Sequence, residues 1–248
     1  MSEQRDMELD PSAHDHPSVT VDVVVFGMFG SLENGDDAEA ESASEDRPEL
    51  RVLLIRRRHR PYQGCWAIPG GFVNMAESLD DAAWRELQEE TGLRDIYLEQ
   101  LYTFGSPGRD PRTRVISVAY YALLPGNAEA RADGEAGEAC WFPVTALPAN
   151  LAFDHPHILD LALRRLRAKA DYAGIAREFL PPRFTLRRLR RIYETVLARP
   201  LDRANFTRRI LTEGDIEETG DIDRRGAHRP AKLYRYRRDR VQGTHDIG

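Results

Sequence analysis

Hydrophobic residues in the first 150 positions of this 248-residue chain recur in short runs rich in Val, Phe, Ile and Tyr. Such runs are typical of buried strands. They predict strands over Val19–Phe29, Arg51–Arg57, Ile96–Phe104 and Val115–Leu124. Between the second and third runs, small apolar residues recur at helical spacing and predict a helix over Leu79–Thr91. Strands interleaved with a helix place this part in the α/β (α+β) class.

From His155 onward the pattern changes to helical spacing. A connecting helix is expected first, then a shorter helix over 172–180 and a boundary at Pro181-Pro182. Thr185 and Asp202 stand where N-caps of two further helices are expected, and strands over 216–219 and 233–236 follow. Helix, turn, helix and a basic hairpin form the layout of a winged helix.

These patterns divide the chain. We predict a disordered tail over 1–16, a first domain over 17–150 with an acidic flexible insertion at 30–50, connecting helices over 151–181, a winged-helix domain over 182–240 and a tail over 241–248. Cys65 and Cys140 have no metal-like spacing and are interpreted as reduced thiols in a cytoplasm. Since no apolar run approaches the roughly 20 residues that span a bilayer, no membrane partner is expected.

The net charge of −6 conceals two halves of opposite sign. Between Arg164 and Arg240 there are 22 Lys and Arg residues against 11 Asp and Glu residues, a net of +11, which leaves −17 for the remainder. Because neutralisation of phosphates supplies most non-specific affinity, the C-terminal part is expected to bind double-stranded DNA. The candidates are Arg203, Asn205, Arg208 and Arg209 on the second helix and Arg225 and Arg229 in the hairpin loop. A basic helical cap or a dimerisation arm is the alternative.

The predicted helix over 79–91 carries three glutamates on one face. Ser78, with Asp81 three residues later, is expected to cap its start, and Gly92 is expected to end it. Glu86, Glu89 and Glu90 are spaced i, i+3 and i+4, and the apolar stripe that faces the protein leads into them. A divalent cation would turn their repulsion into binding, and oxygen ligands suit Mg²⁺ or Mn²⁺. A solvated acidic face is the alternative.

This stretch resembles the signature of the Nudix hydrolases. Gly71, five residues, Glu77, seven residues, and then Arg85-Glu86-Leu87-x-Glu89-Glu90-x-Gly92-Leu93 fill every fixed position. The resemblance implies a Nudix α/β/α sandwich with a mixed sheet and Mg²⁺- or Mn²⁺-dependent cleavage of a pyrophosphate in a nucleoside diphosphate derivative. It further implies that the three glutamates and the Gly71 carbonyl hold the metal and that one glutamate also acts as base. Glu77 and Arg85 would then brace the loop against the helix.

Arginines near this motif are candidates for binding a diphosphate, since guanidinium forks suit phosphate geometry. They are Arg56, with Arg57 and Arg58, at the end of the second strand, and Arg109 and Arg112 in the loop over 105–112. A solvated strand end and an ordinary hairpin turn are the alternatives. Pro107 lies close to the position at which ADP-ribose pyrophosphatases of the Nudix class have a proline, so this resemblance favours ADP-ribose as the ligand.

A Nudix domain followed by a winged helix resembles the Nudix-related transcriptional regulators of NAD metabolism. The similarity extends beyond the motif to residues 97–105, 115–120, 202–211 and 229–234. In that family the Nudix domain often senses ADP-ribose and the motif is frequently degraded, whereas this chain keeps every acidic position. We therefore expect a homodimeric, ADP-ribose-responsive DNA-binding regulator that retains Mg²⁺-dependent hydrolysis. The alternative is a plain ADP-ribose pyrophosphatase whose basic C-terminal domain is only structural or dimerising.

Overall fold

The computed structural model describes residues 15–30, 48–92, 96–124, 138–172, 174–223 and 230–237. Most of the predicted N-terminal tail, the 31–47 part of the acidic insertion, the C-terminal tail, Arg225 and Arg229 lie outside these residues. In the described part of the chain, no helix combines the length and the apolar character that crossing a membrane requires.

Seven strands form one mixed sheet. They are β1 (Ser18–Phe29), β2 (Glu49–Arg56), β3 (Trp66–Ala67), β4 (Gly70–Phe72), β5 (Tyr97–Phe104), β6 (Val115–Leu124) and β7 (Ala139–Pro143). The main path runs β3-β2-β1-β6-β5, while β4 pairs with β1 and β7 pairs with β2. The central strands β1 and β6 are parallel and the other pairs are antiparallel.

Both faces of the sheet are covered, which explains why its central strands read as continuous apolar runs. Alternate residues Val21, Val23 and Val25 of β1 pack beneath helix α1 (Leu79–Thr91). Val24 and Phe26, which point to the opposite face of the sheet, belong to a second core. This helix–sheet–helix layering and the mixed sheet confirm the predicted fold class.

Four helical elements follow the sheet strands along the chain. Helix α2 (His155–Tyr172) is followed by a short 3-10 helix (Ile175–Phe179), helix α3 (Leu186–Leu197) and helix α4 (Arg203–Glu213). Strands β8 (Ile216–Asp223) and β9 (Ala231–Tyr236) then pair as an antiparallel hairpin. Helix, helix and hairpin make the predicted winged helix.

The core of the winged helix is continuous with the core of the sheet. Leu166 of α2, Phe179 of the 3-10 helix and Leu189 of α3 are all fully buried in the same cluster as Val24 and Phe26 of β1. Tyr193 of α3 then stacks edge-on against Phe206 of α4, with ring centroids 5.4 Å apart. The two halves of the chain therefore share one hydrophobic interior.

Two element predictions need correction. Glu49 and Leu50, assigned to the acidic insertion, begin β2, because Leu50 pairs with Met28 and is only 2% exposed. The helix expected over 172–180 is a five-residue 3-10 turn, Ile175–Phe179. Buried Ile175, Ala176 and Phe179 fix this short turn by packing into the shared core, a tertiary effect that local periodicity does not report.

Candidate functional site

The ends of α1 are set by local signals. The Ser78 side chain accepts a hydrogen bond from the Asp81 backbone N–H, and the Asp81 carboxylate accepts one from the Ser78 N–H, which completes a capping box. Gly92 ends the helix in the left-handed conformation with φ of 69°. These two signals fix the register in which the motif residues face the sheet.

Arg85 ties the loop after β4 to the helix. Its guanidinium donates to both carboxylate oxygens of Glu77, at 2.8 and 3.1 Å, and to the Phe72 carbonyl at 3.1 Å. The Asn74 backbone N–H donates to Glu77 at 2.7 Å. The hydrogen bonds from Arg85, followed by that from Asn74, lower the pKa of Glu77 from its ordinary 4.5 to about 2. Glu77 and Arg85 therefore hold the loop against α1 through a charged, multiply bonded contact.

Gly71 and Glu86 are in unusually close contact. A Cβ atom placed on Gly71 would lie 2.0 Å from Glu86 Oε1, so only glycine leaves room for this carboxylate. Glu86 is 7% exposed and accepts a hydrogen bond from Arg85 Nη1 at 2.7 Å. Burial raises the pKa of Glu86, and the neighbouring Arg85 opposes that rise. A buried carboxylate beside a backbone segment supplies the oxygen donors that Mg²⁺ or Mn²⁺ prefers.

The three glutamates do not all turn inward. Ala82, Ala83 and Leu87 face the sheet with Glu86, but the Glu89 side chain is 58% exposed. The Glu90 side chain lies outside the described residues. Among the described side chains, no three His, Cys, Asp or Glu residues are gathered in a metal-binding arrangement. The candidate metal site beside Glu86 is therefore open to solvent on the side of Glu89.

Arg56 and its neighbour Arg57 have different surroundings. Arg56 is exposed at the strand end, where it donates to Glu138 at 3.2 Å and to the Gly64 carbonyl at 3.3 Å. Arg57 is half-buried, with its guanidinium carbon 4.8 Å from the centroid of the Phe153 ring. Burial lowers the pKa of Arg57, and the nearby Arg112 guanidinium lowers it further. An anion between these two cations would relieve their repulsion.

Two bulky residues beside Arg57 have strained backbones. Tyr62 has φ of 61° and Phe153 has φ of 50°, a region in which bulky side chains are outliers. Their rings lie 4.8 Å apart, and Tyr62 is 41% exposed. Backbone strain of this kind clusters at ligand sites, where surrounding structure over-determines it. The signal is conformational, so residue types alone could not reveal it.

The arginines of the loop after β5 also differ. Arg112 is 45% exposed, pairs with Asp110 at 2.7 Å and lies over the Phe72 ring, the residue after Gly71. The Arg109 side chain is only 5% exposed and donates to both Asp154 oxygens, at 2.7 and 3.1 Å. Arg112 is therefore accessible to a ligand near the glutamates, whereas the buried contacts of Arg109 hold the loop in place.

A group of buried polar residues surrounds Arg109. Asp22 of β1 lies 3.4 Å from the Arg109 guanidinium, accepts a hydrogen bond from the Ser117 hydroxyl and faces His155 Nε2 at 3.7 Å. His155 Nδ1 accepts a hydrogen bond from the Ile68 N–H at 2.9 Å. Burial lowers the pKa of His155, which keeps Nδ1 available as an acceptor. This network packs directly under the segment that leads to Gly71.

The predicted DNA-contacting residues that the structure describes all lie on α4. Arg203, Asn205, Arg208 and Arg209 are all exposed, while Phe206 and Ile210 face the core. Arg208 Nη2 donates to Asn205 Oδ1 at 2.6 Å. Arg209 instead lies over the Tyr193 and Phe206 rings, at 5.7 and 5.8 Å. The N-terminal half of α4 therefore presents the polar groups, as base-reading helices do.

The arginines of α3 are partly covered by neighbouring elements. Arg187, Arg188, Arg190 and Arg191 are all half-buried. Arg190 donates to Glu194 at 3.0 Å and to the Leu201 carbonyl at 3.3 Å. It thereby connects α3 to the segment before α4. The four arginines are half-buried because long cationic side chains bury their stems where a neighbouring element covers them.

Two family profiles match the chain. The NUDIX domain matches residues 43–162, and the NrtR DNA-binding winged helix domain matches residues 176–236. The ADPR responsive transcriptional repressor NtrR of Acinetobacter baylyi is 36% identical over 228 residues, which cover 91% of this chain and 84% of that protein. The chain belongs to the NrtR family. This confirms the resemblance to Nudix-related transcriptional regulators.

Two further proteins are similar to this NrtR-family chain, one over most of its length and one over less than half of it. The crystal structure of Shewanella oneidensis NrtR complexed with a 27mer DNA is 32% identical and has a TM-score of 0.72, covering 88% of this chain and 93% of that one. The ADP-ribose pyrophosphatase of Methanocaldococcus jannaschii is 43% identical over 114 residues, which are 46% of this chain and 66% of that enzyme.

Proposed function

We propose that this NrtR-family protein is an ADP-ribose-responsive transcriptional repressor that binds double-stranded DNA. The observation that carries the proposal is the exposed Arg and Asn face of α4, in a winged helix whose core continues into the Nudix sheet. Support comes from the named function of the Acinetobacter baylyi relative and from the DNA complex of the Shewanella oneidensis relative.

The DNA interface is proposed to use α4 in the major groove and the β8–β9 hairpin on the phosphates. Arg203, Asn205 and Arg208 would approach base edges, since they occupy the N-terminal half of the helix. Arg225 and Arg229 in the hairpin loop would neutralise phosphates. A symmetric homodimer would place two such helices at half-sites about one helical turn apart.

The effector is proposed to be ADP-ribose. Arg57 and Arg112 would hold its diphosphate, because burial and the nearby Arg112 guanidinium lower the pKa of Arg57, and an anion between the two cations would offset that effect. Two other predicted substrate-binding arginines would act more indirectly. Arg109 has a side chain only 5% exposed, and Arg56 pairs with Glu138 at the end of β2. The similarity to an ADP-ribose pyrophosphatase supports this ligand class.

Metal-dependent hydrolysis of ADP-ribose is proposed as a second activity. The close approach of Gly71 to Glu86 favours it, because that contact brings a buried carboxylate to a backbone segment as a hard cation requires. The Gly71 carbonyl, Glu86, Glu89 and Glu90 would hold Mg²⁺ or Mn²⁺. Such an ion neutralises charge on the pyrophosphate oxygens when bound. Arg85 and Glu77 would keep the Glu86 carboxylate in place.

The test is fluorescence anisotropy on DNA from the protein's own promoter region, with and without ADP-ribose. We expect a nanomolar-range complex whose dissociation constant changes about 5- to 150-fold with the ligand. The full-length variant Arg203→Ala/Asn205→Ala/Arg208→Ala should lose operator preference while it still binds ADP-ribose. If the wild-type protein shows no operator preference and no response to ADP-ribose, the repressor proposal fails and the alternative of a plain hydrolase stands. Release of AMP and ribose 5-phosphate with Mg²⁺ tests the second activity.

A further inference from the structure

Helix α2 is attached at its N-terminal end to the candidate ligand site. Asp154, immediately before the helix, accepts hydrogen bonds from Arg109 Nη2 at 2.7 Å and Nε at 3.1 Å. His155, at the first position, accepts the Ile68 N–H at 2.9 Å, and Ile68 leads into the strand that contains Gly71. The start of α2 therefore contacts both chain segments that carry the candidate ligand-binding residues.

The other end of α2 is attached to the winged helix. Leu166 and Ala170 are fully buried in the core that also contains Leu189 and Val196 of α3. Arg167 Nε donates to the Val196 carbonyl at 3.1 Å. Since α3 packs on α4 through aromatic rings, α2 is one helix away from the DNA-reading surface. Its 18 residues span about 27 Å as a single stiff element.

Arg109 is the residue through which the ligand-facing loop reaches this helix. Its side chain is 5% exposed, although most residues around it in the loop are exposed. Separating Arg109 from Asp154 would leave the buried guanidinium to the longer 3.4 Å contact with Asp22, so Arg109 and Asp154 are expected to move together. Arg112, three positions later, is 45% exposed and lies over Phe72 beside the glutamate site. A ligand that engages Arg112 thus acts on a loop bonded to α2.

We propose that the Arg109–Asp154 pair is the positioning contact that transmits ligand occupancy to the winged helix through α2. This rests on the proposed function, since it specifies how ADP-ribose would change DNA affinity. Arg109 and Asp154 would not need to touch DNA. Through this pair, one position of α2 would be compatible with the ligand-bound loop and another with the ligand-free loop. The ligand would then select between these two positions. Asp154 is thereby assigned a role in regulation rather than in catalysis.

The test compares two aspartates near the same helix. Asp154→Asn removes the half-buried charge at the loop contact, whereas Asp160→Asn removes an exposed one that pairs with Arg164 at 2.9 Å within α2. For each full-length protein, the operator dissociation constant is measured with and without a saturating, non-hydrolysable ADP-ribose analogue in the presence of Mg²⁺. The ratio of the two constants is the coupling factor.

We expect Asp154→Asn to reduce the coupling factor to within about twofold of one, while Asp160→Asn keeps the wild-type value. The affinity of Asp154→Asn for DNA alone, and for the analogue alone, should each stay within about threefold of wild type. A merely structural role would instead weaken these separate affinities in parallel and leave the ratio unchanged. Asp154→Glu, which restores the charge, should recover part of the coupling.

Wild-type coupling in Asp154→Asn would overturn the inference and leave the proposed function intact. Absence of coupling in the wild type would remove both. If Asp154→Asn melts below the assay temperature, Arg167→Met provides the same test at the opposite end of α2, because it removes the donor to Val196 and keeps an apolar stem. Full coupling in that variant would equally overturn the role of α2.

Discussion

Gly70 and Gly71 are adjacent in β4, yet a methyl group added to each would meet a different kind of atom. At Gly71, the new Cβ would lie 2.0 Å from Glu86 Oε1 and 2.7 Å from its Cδ, both at the end of a side chain. At Gly70, it would lie 2.3 Å from the Val21 carbonyl oxygen and 3.0 Å from the Asp22 Cα, which are backbone atoms of the central strand. The same substitution should therefore have different consequences.

Gly71→Ala should impair chemistry and largely preserve stability. The Glu86 carboxylate must retreat by about 1 Å to reach a tolerable separation, which disturbs its 2.7 Å hydrogen bond with Arg85. A 1 Å displacement in an active site can cost about 10²-fold in rate. We expect that loss in kcat for metal-dependent ADP-ribose hydrolysis, with weaker Mn²⁺ binding and a melting temperature within about 3 °C of wild type.

Gly70→Ala should act on stability, because β1 cannot retreat without disturbing the middle of the sheet. Overpacking typically costs 1–3 kcal/mol, and each kcal/mol lowers the melting temperature of a protein of this size by about 2–4 °C. We therefore expect a decrease of about 2–12 °C. Calorimetry, release of AMP and Mn²⁺ titration followed by electron paramagnetic resonance give the three readouts. Equal destabilisation by the two substitutions, or wild-type Mn²⁺ affinity in Gly71→Ala, would refute the reasoning.

Three further predictions concern single side chains. Glu89→Gln removes an exposed charge at the edge of α1 and should lower the hydrolysis rate at least about 10²-fold, with no loss of melting temperature; an unchanged rate would exclude Glu89 from metal binding. Arg208→Ala should weaken operator binding, and salt titrations should distinguish a phosphate contact, which lowers the salt slope by about one unit, from a base contact, which relaxes sequence preference. Glu77 has a pKa of about 2 when folded against an ordinary 4.5, so its stabilisation is present above pH 4.5 and lost as pH falls towards 2. The melting temperatures of wild type and Glu77→Gln should accordingly converge as pH falls from 5 to 2, and a constant difference would contradict the role of the Arg85 contact.

Local signals made much of this molecule predictable. Ser78, Asp81 and Gly92 determine α1 because a cap and a left-handed stop act within a few residues of the chain. Thr185 and Asp202 accept the Arg188 and Asn205 backbone N–H groups for the same reason. The fold class followed from the period of the apolar residues, and the metal-site candidates from the spacing of the glutamates.

Contacts between distant segments could not be inferred in this way. Arg109 is separated from Asp154 by 45 positions and from Asp22 by 87, so the sequence carries no local sign that its charge is buried. The different surroundings of Arg56 and Arg57 depend on the irregular chain after β2, where strand periodicity ends. The exposure of Glu89 depends on how far α1 extends past the sheet edge. In each case tertiary packing determines the environment.

The uninterrupted core between sheet and winged helix has a consequence for genetics. A screen for loss of repression would be expected to find mutations in the DNA-reading helix. It should also recover substitutions of Val24, Phe26 or Phe179, which are buried in that core and remote in sequence from α4. Such alleles would be temperature-sensitive, would lower the amount of folded protein, and would be suppressed by stabilising changes elsewhere in the chain. Mutations in the shared core should therefore impair ligand binding and DNA binding together, unlike substitutions on the surface of α4.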